Sequence, residues 1–101
     1  MTTGGLKLET LPNEHRKRLN IDRRSMALRA EHVGQYGKHA VAKRAGFKKG
    51  DVIIAFDGQT DLMTPSDLLA YGARHTRPGQ EVSVTLLRDE KKMTKQLTMQ
   101  D

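Results

Sequence analysis

A chain of 101 residues, 36% of them apolar, has material for one modest hydrophobic core and one domain. It contains no cysteine, which excludes a disulfide framework and a thiolate metal site. No apolar run approaches the ~20 residues that carry a helix across a bilayer. The net charge of +6 draws heavily on His15-Arg16-Lys17-Arg18 and Arg23-Arg24. This run reads as a solvated helix face and a polar loop, with a contact surface for nucleic acid, anionic lipid or an acidic neighbouring domain as the alternative. None of the four aromatics is interleaved with it, so nucleic acid is a disfavoured partner; membrane contact is left open.

Met1 to Thr3 are expected to form a flexible tail ahead of a single domain over 4–100. Met-Thr-Thr-Gly-Gly has neither the charged start nor the apolar middle of a signal peptide. From Leu6 to Leu11 the chain alternates apolar and polar, the pattern of a half-buried strand. Pro12 then opens a short helix to about Leu19, with Glu14 in its first turn. Asn20 to Arg24 is a loop, and Met26 to Val33 an imperfectly alternating strand with Met26, Leu28, Ala30 and His32 on one parity.

Lys38 to Ala45 predicts a helix, stopped by Gly46 in a left-handed conformation with Phe47 as the hydrophobic residue that accompanies such a cap. Gly50-Asp51 turns the chain into Val52-Ile53-Ile54-Ala55-Phe56, an apolar run of strand length. Asp57-Gly58 closes it as a tight turn with both residues at positive φ, and Gln59-Thr60 is expected to run back as a short return strand. Thr64-Pro65-Ser66-Asp67 is a helix start with a cap, a proline at the first helical position and a capping-box partner. That helix is expected to fray by His75. Arg77-Pro78-Gly79-Gln80 turns into a strand over Val82 to Arg88, and after a polar reversal at Asp89-Glu90-Lys91-Lys92 a last strand covers Met93 to Met99. Strands and helices mix without regular alternation, which is the mark of an α+β, β-rich domain.

The run Ala45-Gly46-Phe47-Lys48-Lys49-Gly50-Asp51-Val52-Ile53, with its strand and glycine turn, resembles the core signature of PDZ domains, in particular the bacterial kind attached to HtrA-type (DegP-like) proteases. The likeness extends from about Gly4 to Met99, and Leu87-Arg88-Asp89 matches the family's closing hairpin. It implies a partly open antiparallel β-barrel or sandwich flanked by two to three short helices. There are three departures. Gly4 stands where the family has an apolar residue, the segment from Gly34 through the following helix is a few residues longer, and Glu90 replaces the usual hairpin glycine, which predicts a looser turn.

The resemblance also implies a function. PDZ domains bind extended peptides, usually C-termini, by adding the peptide as a strand to a sheet edge. A glycine-containing loop holds the terminal carboxylate on backbone N–H groups. By that likeness Gly4, Gly5 and Leu6 form the carboxylate loop, and Leu6, Lys7 and Leu8 the docking strand, although a disordered terminus for Gly4-Gly5 and plain core packing for the leucines remain alternatives. On the helix after Thr64, Leu68 and Gly72 share one stripe toward the core with Tyr71 beside them, and Ser66, Leu69 and Ala73 share another, expected to face the peptide. The histidine with which many animal PDZ domains bond a peptide hydroxyl has no counterpart here, so apolar peptide termini are expected.

The four histidines, at positions 15, 32, 39 and 75, have neither metal spacing nor a zincin glutamate. No nucleophile elbow or phosphate loop is present. The chain reads as a non-catalytic, peptide-binding module without cofactor, metal or small-molecule substrate. It is expected to belong to a larger bacterial protein such as an HtrA-type serine protease, and to the cell envelope or periplasm if so. The alternative is a structural or docking domain that uses its basic surface against nucleic acid or an acidic partner.

Overall fold

The computed structural model describes residues 6–22, 24–34 and 41–99. The expectations for Met1 to Gly5, Arg23, Lys38 to Ala40 and His39 therefore fall outside the described residues. In chain order the elements are β1 (Leu6–Thr10), α1 (Asn13–Arg18), β2 (Leu28–Val33), α2 (Val41–Arg44), β3 (Val52–Phe56), α3 (Pro65–His75), β4 (Glu81–Arg88) and β5 (Lys91–Thr98). The strands form one antiparallel, unclosed sheet in the order β1-β2-β3-β4-β5. This is the α+β architecture that the element order predicts.

The sheet is covered on both faces. On one, Leu28, Ala30, Ile53, Phe56, Val82, Val84, Leu86 and Leu97 form the main core beneath Ala42 of α2, Phe47 and Leu68 of α3. On the other, Leu11, Ala27 and Val52 make a smaller cluster joined by Leu19, Ile21, Ile54 and Leu87. Val52 and Ile53 thus serve opposite faces, and this two-sided burial is why β3 reads as an unbroken apolar run rather than an alternating one.

Two bulges adjust the parity. Along β1–β2 the register steps from Lys7↔His32 to Leu8↔Ala30, leaving Glu31 as the extra residue. Ala30 and Val33 both point inward in consequence, while His32, which simple alternation assigns to the core side, is exposed. Along β3–β4 the step from Ile53↔Leu86 to Ala55↔Thr85 makes Ile54 the extra residue and brings Phe56 to the side of Ile53.

The cap after α2 forms as the glycine and phenylalanine predict. Gly46 sits at φ 101°, Gly46 N–H donates to the Lys43 carbonyl (3.0 Å), Phe47 N–H donates to that of Ala42 (3.1 Å), and Phe47 is buried. Asp57 and Gly58 turn the chain at φ 51° and 79°. The expected return strand at Gln59-Thr60 does not form. Only a Phe56↔Gln59 bridge is made, and the Thr60 carbonyl instead accepts from Met26 N–H at 2.9 Å, which draws the chain across to the start of β2.

The β4–β5 hairpin is not loosened by Glu90. Its pairing runs without a break from Glu81↔Thr98 to Arg88↔Lys91, leaving a two-residue loop in which Asp89 and Glu90 take φ 51° and 65°. Eight continuous pairs hold the loop closed against the cost of two non-glycine residues in the left-handed region, ~1–2 kcal/mol each.

Candidate functional site

β1 is an edge strand. β2 pairs with it on one side, and among the described residues no strand pairs with the other. α3 packs against it. Along β1, Leu6 is buried in the main core, Leu8 is half-buried against it, and Lys7 points outward, its ammonium 4.0 Å from Glu31. Glu9 is ion-paired with Arg29, whose guanidinium also donates to His15 Nδ1 at 2.9 Å, so α1 is tied to the outer side of β1 and β2. Of the predicted docking residues on this strand, Leu6 and Leu8 share the inner side and the Lys7 side chain does not.

The position and rotation of α3 follow from local chemistry. Thr64 Oγ1 accepts from Asp67 N–H (3.1 Å) and Asp67 Oδ2 accepts from Thr64 N–H (3.2 Å), a reciprocal box that fixes where the helix begins. Leu68 and Gly72 are buried, whereas Ser66, Leu69 and Ala73 are exposed. Turning the helix by one position would bring Leu68 out of the core at a cost of ~2 kcal/mol. Leu69, 44% exposed, is the large apolar side chain left in solvent among the described residues. The stripe predicted to face the core, Leu68 and Gly72, is the buried one, and Ser66, Leu69 and Ala73 lie on the exposed side.

At its middle the helix is anchored by Tyr71. The phenol O–H donates to Asp57 Oδ2 at 2.8 Å, and the ring meets Phe56 edge-on with centroids 6.2 Å apart. His75 lies over the same ring at 4.7 Å. Donation to the Asp57 carboxylate, with burial and the negative charge of that group adding to it, raises the Tyr71 pKa above the ordinary value of 10.0. The Thr76 hydroxyl closes the helix end on the Gly72 carbonyl.

Behind the sheet, Asp51 is almost fully buried and bonded on every side. Its carboxylate accepts from Arg88 Nε (2.8 Å), from Arg88 Nη2 (2.7 Å) and from Lys48 N–H (2.8 Å), and Arg88 Nη2 also donates to the Gly46 carbonyl at 2.7 Å. This fork raises the Arg88 pKa further, so its charge is permanent. Gly50-Asp51 and Leu87-Arg88 are both conspicuous in the sequence, but nothing in a linear reading says that they bond one another.

The basic run of α1 is not one exposed face. Arg16 is buried, and its Nη1 donates to the carbonyls of Asp22 (3.0 Å) and Ser25 (2.7 Å), pinning the loop that follows. Lys17 and Arg18 are exposed and His15 is half-buried. The signal missed was the polar loop itself, whose carbonyls need donors once the chain turns inward to Met26.

A family model described as PDZ domain matches residues 20–99. The chain belongs to the PDZ family. The match begins after β1 and α1, and the remainder is covered by likeness to solved structures. An HtrA-type protease AlgW structure with a decapeptide superposes with a TM-score of 0.77 at 25% identity, over 96% of this chain and 28% of that one. AlgW with a tripeptide gives 0.74 at 25% identity, over 95% of this chain and 30% of that one. An aminopeptidase N family protein from Idiomarina loihiensis gives 0.68 at 25% identity, over 98% of this chain and 14% of that one. Among curated proteins none matches. The chain spans less than a third of each of these three structures' length. As a PDZ domain it is a binding module for peptides, of the HtrA-like kind.

Proposed function

We propose that this PDZ domain captures extended peptide segments, preferentially C-termini ending in an apolar residue, by adding them as a strand along the outer edge of β1. The single observation that carries the reading is an edge strand with α3 packed beside it, presenting Leu69, at 44% exposure the large apolar side chain left in solvent among the described residues. Leu6 and Leu8 supply one wall, and Ser66, Leu69 and Ala73 the other. Lys7 contributes backbone only, its side chain being directed toward Glu31. By the family likeness Gly4 and Gly5 hold the terminal carboxylate. Peptides accompany the AlgW structures to which this chain is similar, which supports the class of ligand.

The parent protein, on this reading, is a bacterial envelope protein in which the domain presents substrates to, or senses chain ends for, an HtrA-type protease. No helix of the described residues is long and apolar enough to cross a membrane.

An isolated groove of this kind binds in the range of about 1–100 μM. Replacing Leu69 by Asp puts a charge where an apolar peptide side chain is expected. Titration calorimetry with a hexapeptide ending in Val is predicted to show at least about a tenfold loss of affinity, with the thermal midpoint unchanged because the side chain is exposed. Unaltered affinity in a folded Leu69→Asp protein would remove α3 from the site.

A further inference from the structure

A second concave site lies on another part of the molecule. Between the end of β2 and the turn after α2 is a cavity of about 370 Å³. Val33 and Phe47 form its apolar floor, and Lys43, Lys48, Lys49 and His32, all exposed, stand around it. Gly46 is also part of the lining, and the Lys95 side chain of β5 lies over its Cα, with Nζ 3.1 Å from where a Cβ would stand. Among the described residues no acidic side chain lines it. The nearest carboxylate in this loop, Asp51, is directed inward to Arg88 and the Lys48 amide, and Glu31, next to His32, reaches toward Lys7. The alternative reading of the sequence put a basic contact surface at His15 to Arg18; the structure gathers lysines here.

We propose that this cavity is a docking site for an acidic peptide segment, with carboxylates meeting the lysine rim and one apolar side chain entering over Val33 and Phe47. The arrangement favours a peptide over nucleic acid. The rim is made mainly of lysine ammoniums rather than arginine forks, and the one phenyl ring among the described lining residues, Phe47, is buried. A chain of net charge +6 draws such a segment in by long-range attraction. The site does not depend on the groove reading, since it shares no residue with β1 or α3.

The test uses the 101-residue chain and the acetylated, amidated peptide Glu-Glu-Leu-Glu-Glu, which has no free terminus for the groove. Amide NMR titration is expected to move Val33, Gly46, Phe47, Lys48 and Lys49 and to leave α3 still. The glutamine version of the peptide is expected to bind at least about tenfold more weakly. Lys43→Gln, Lys48→Gln and Lys49→Gln together are expected to weaken the acidic peptide about tenfold, whereas Lys17→Gln, Arg18→Gln and Arg24→Gln, which remove the same charge elsewhere, are expected to change it less than about twofold. Equal loss in both triple variants, equal binding of the glutamine peptide, or stronger shifts of the same amides by a short DNA duplex would each overturn the proposal.

Discussion

Asp51 shows how far one residue can organise a small domain. Its carboxylate joins the turn before β3 to Arg88 at the far end of β4, and through Arg88 to the Gly46 carbonyl that terminates the α2 cap. Replacing it by Ala leaves the Arg88 guanidinium and the Lys48 amide without their acceptor in a mostly buried place. The expected loss is about 3 kcal/mol in urea denaturation, several times what an exposed pair would lose. The Gly-Asp motif announced a turn, and the turn is there, but the buried ion pair depends on a partner 37 positions away.

Tyr71 makes a separate, pH-dependent contribution. Its folded pKa lies above the unfolded value near 10, so the folded state holds the phenol proton more tightly. The associated stability is fully present below pH ~10 and is lost as the pH rises through the folded pKa. Tyr71→Phe is expected to be less stable than the parent at neutral pH by about 1 kcal/mol, with the gap closing in strong alkali. A gap independent of pH across that window would contradict a contribution from the ionisable hydroxyl's donation to Asp57.

At the scale of elements, legibility tracks how local the determining forces are. α3 was readable from Thr64, Pro65 and Asp67 because capping is settled within four residues, and its exposed stripe of Ser66, Leu69 and Ala73 follows from the phase that burying Leu68 imposes. β2 was harder. The bulge at Glu31 shifts the inward side from the parity of Ala30 to that of Val33, and a bulge is a property of the pair of strands, not of either alone. The carboxylate-loop role of Gly4 and Gly5 rests on family likeness, since they lie outside the described residues.

The β4–β5 turn is likewise set by a pair of strands. Glu90 is a poor residue for a left-handed position, but an uninterrupted ladder of eight pairs outweighs it. Glu90→Gly relieves that conformation and is expected to stabilise the protein by about 1 kcal/mol, seen as a higher midpoint in thermal unfolding. No gain would mean that the entropy lost by ordering glycine offsets the relief.

For the molecule as a whole, an unclosed sheet has two edges, and this one treats them differently. β5 carries Lys91, Lys92 and Lys95, charges that discourage another chain from pairing with it. β1 has a single lysine, Lys7, and has α3 beside it with Leu69 in solvent. The α+β order of strands and short helices was implied by the alternation patterns and the PDZ-like signature together; the sequential pairing of the five strands and the cover on both faces were not. The buried use of Arg16 was not, because a basic run looks the same in sequence whether its side chains meet water or loop carbonyls.

The most direct test of the central claim is amide NMR of the chain with short peptides carrying a free apolar C-terminus, repeated with the same peptides amidated. The account predicts shifts at Lys7 to Thr10 and along Ser66 to Ala73 that disappear on amidation. Shifts that survive amidation would contradict recognition of the terminus, and silence along both elements would contradict a groove between β1 and α3 altogether.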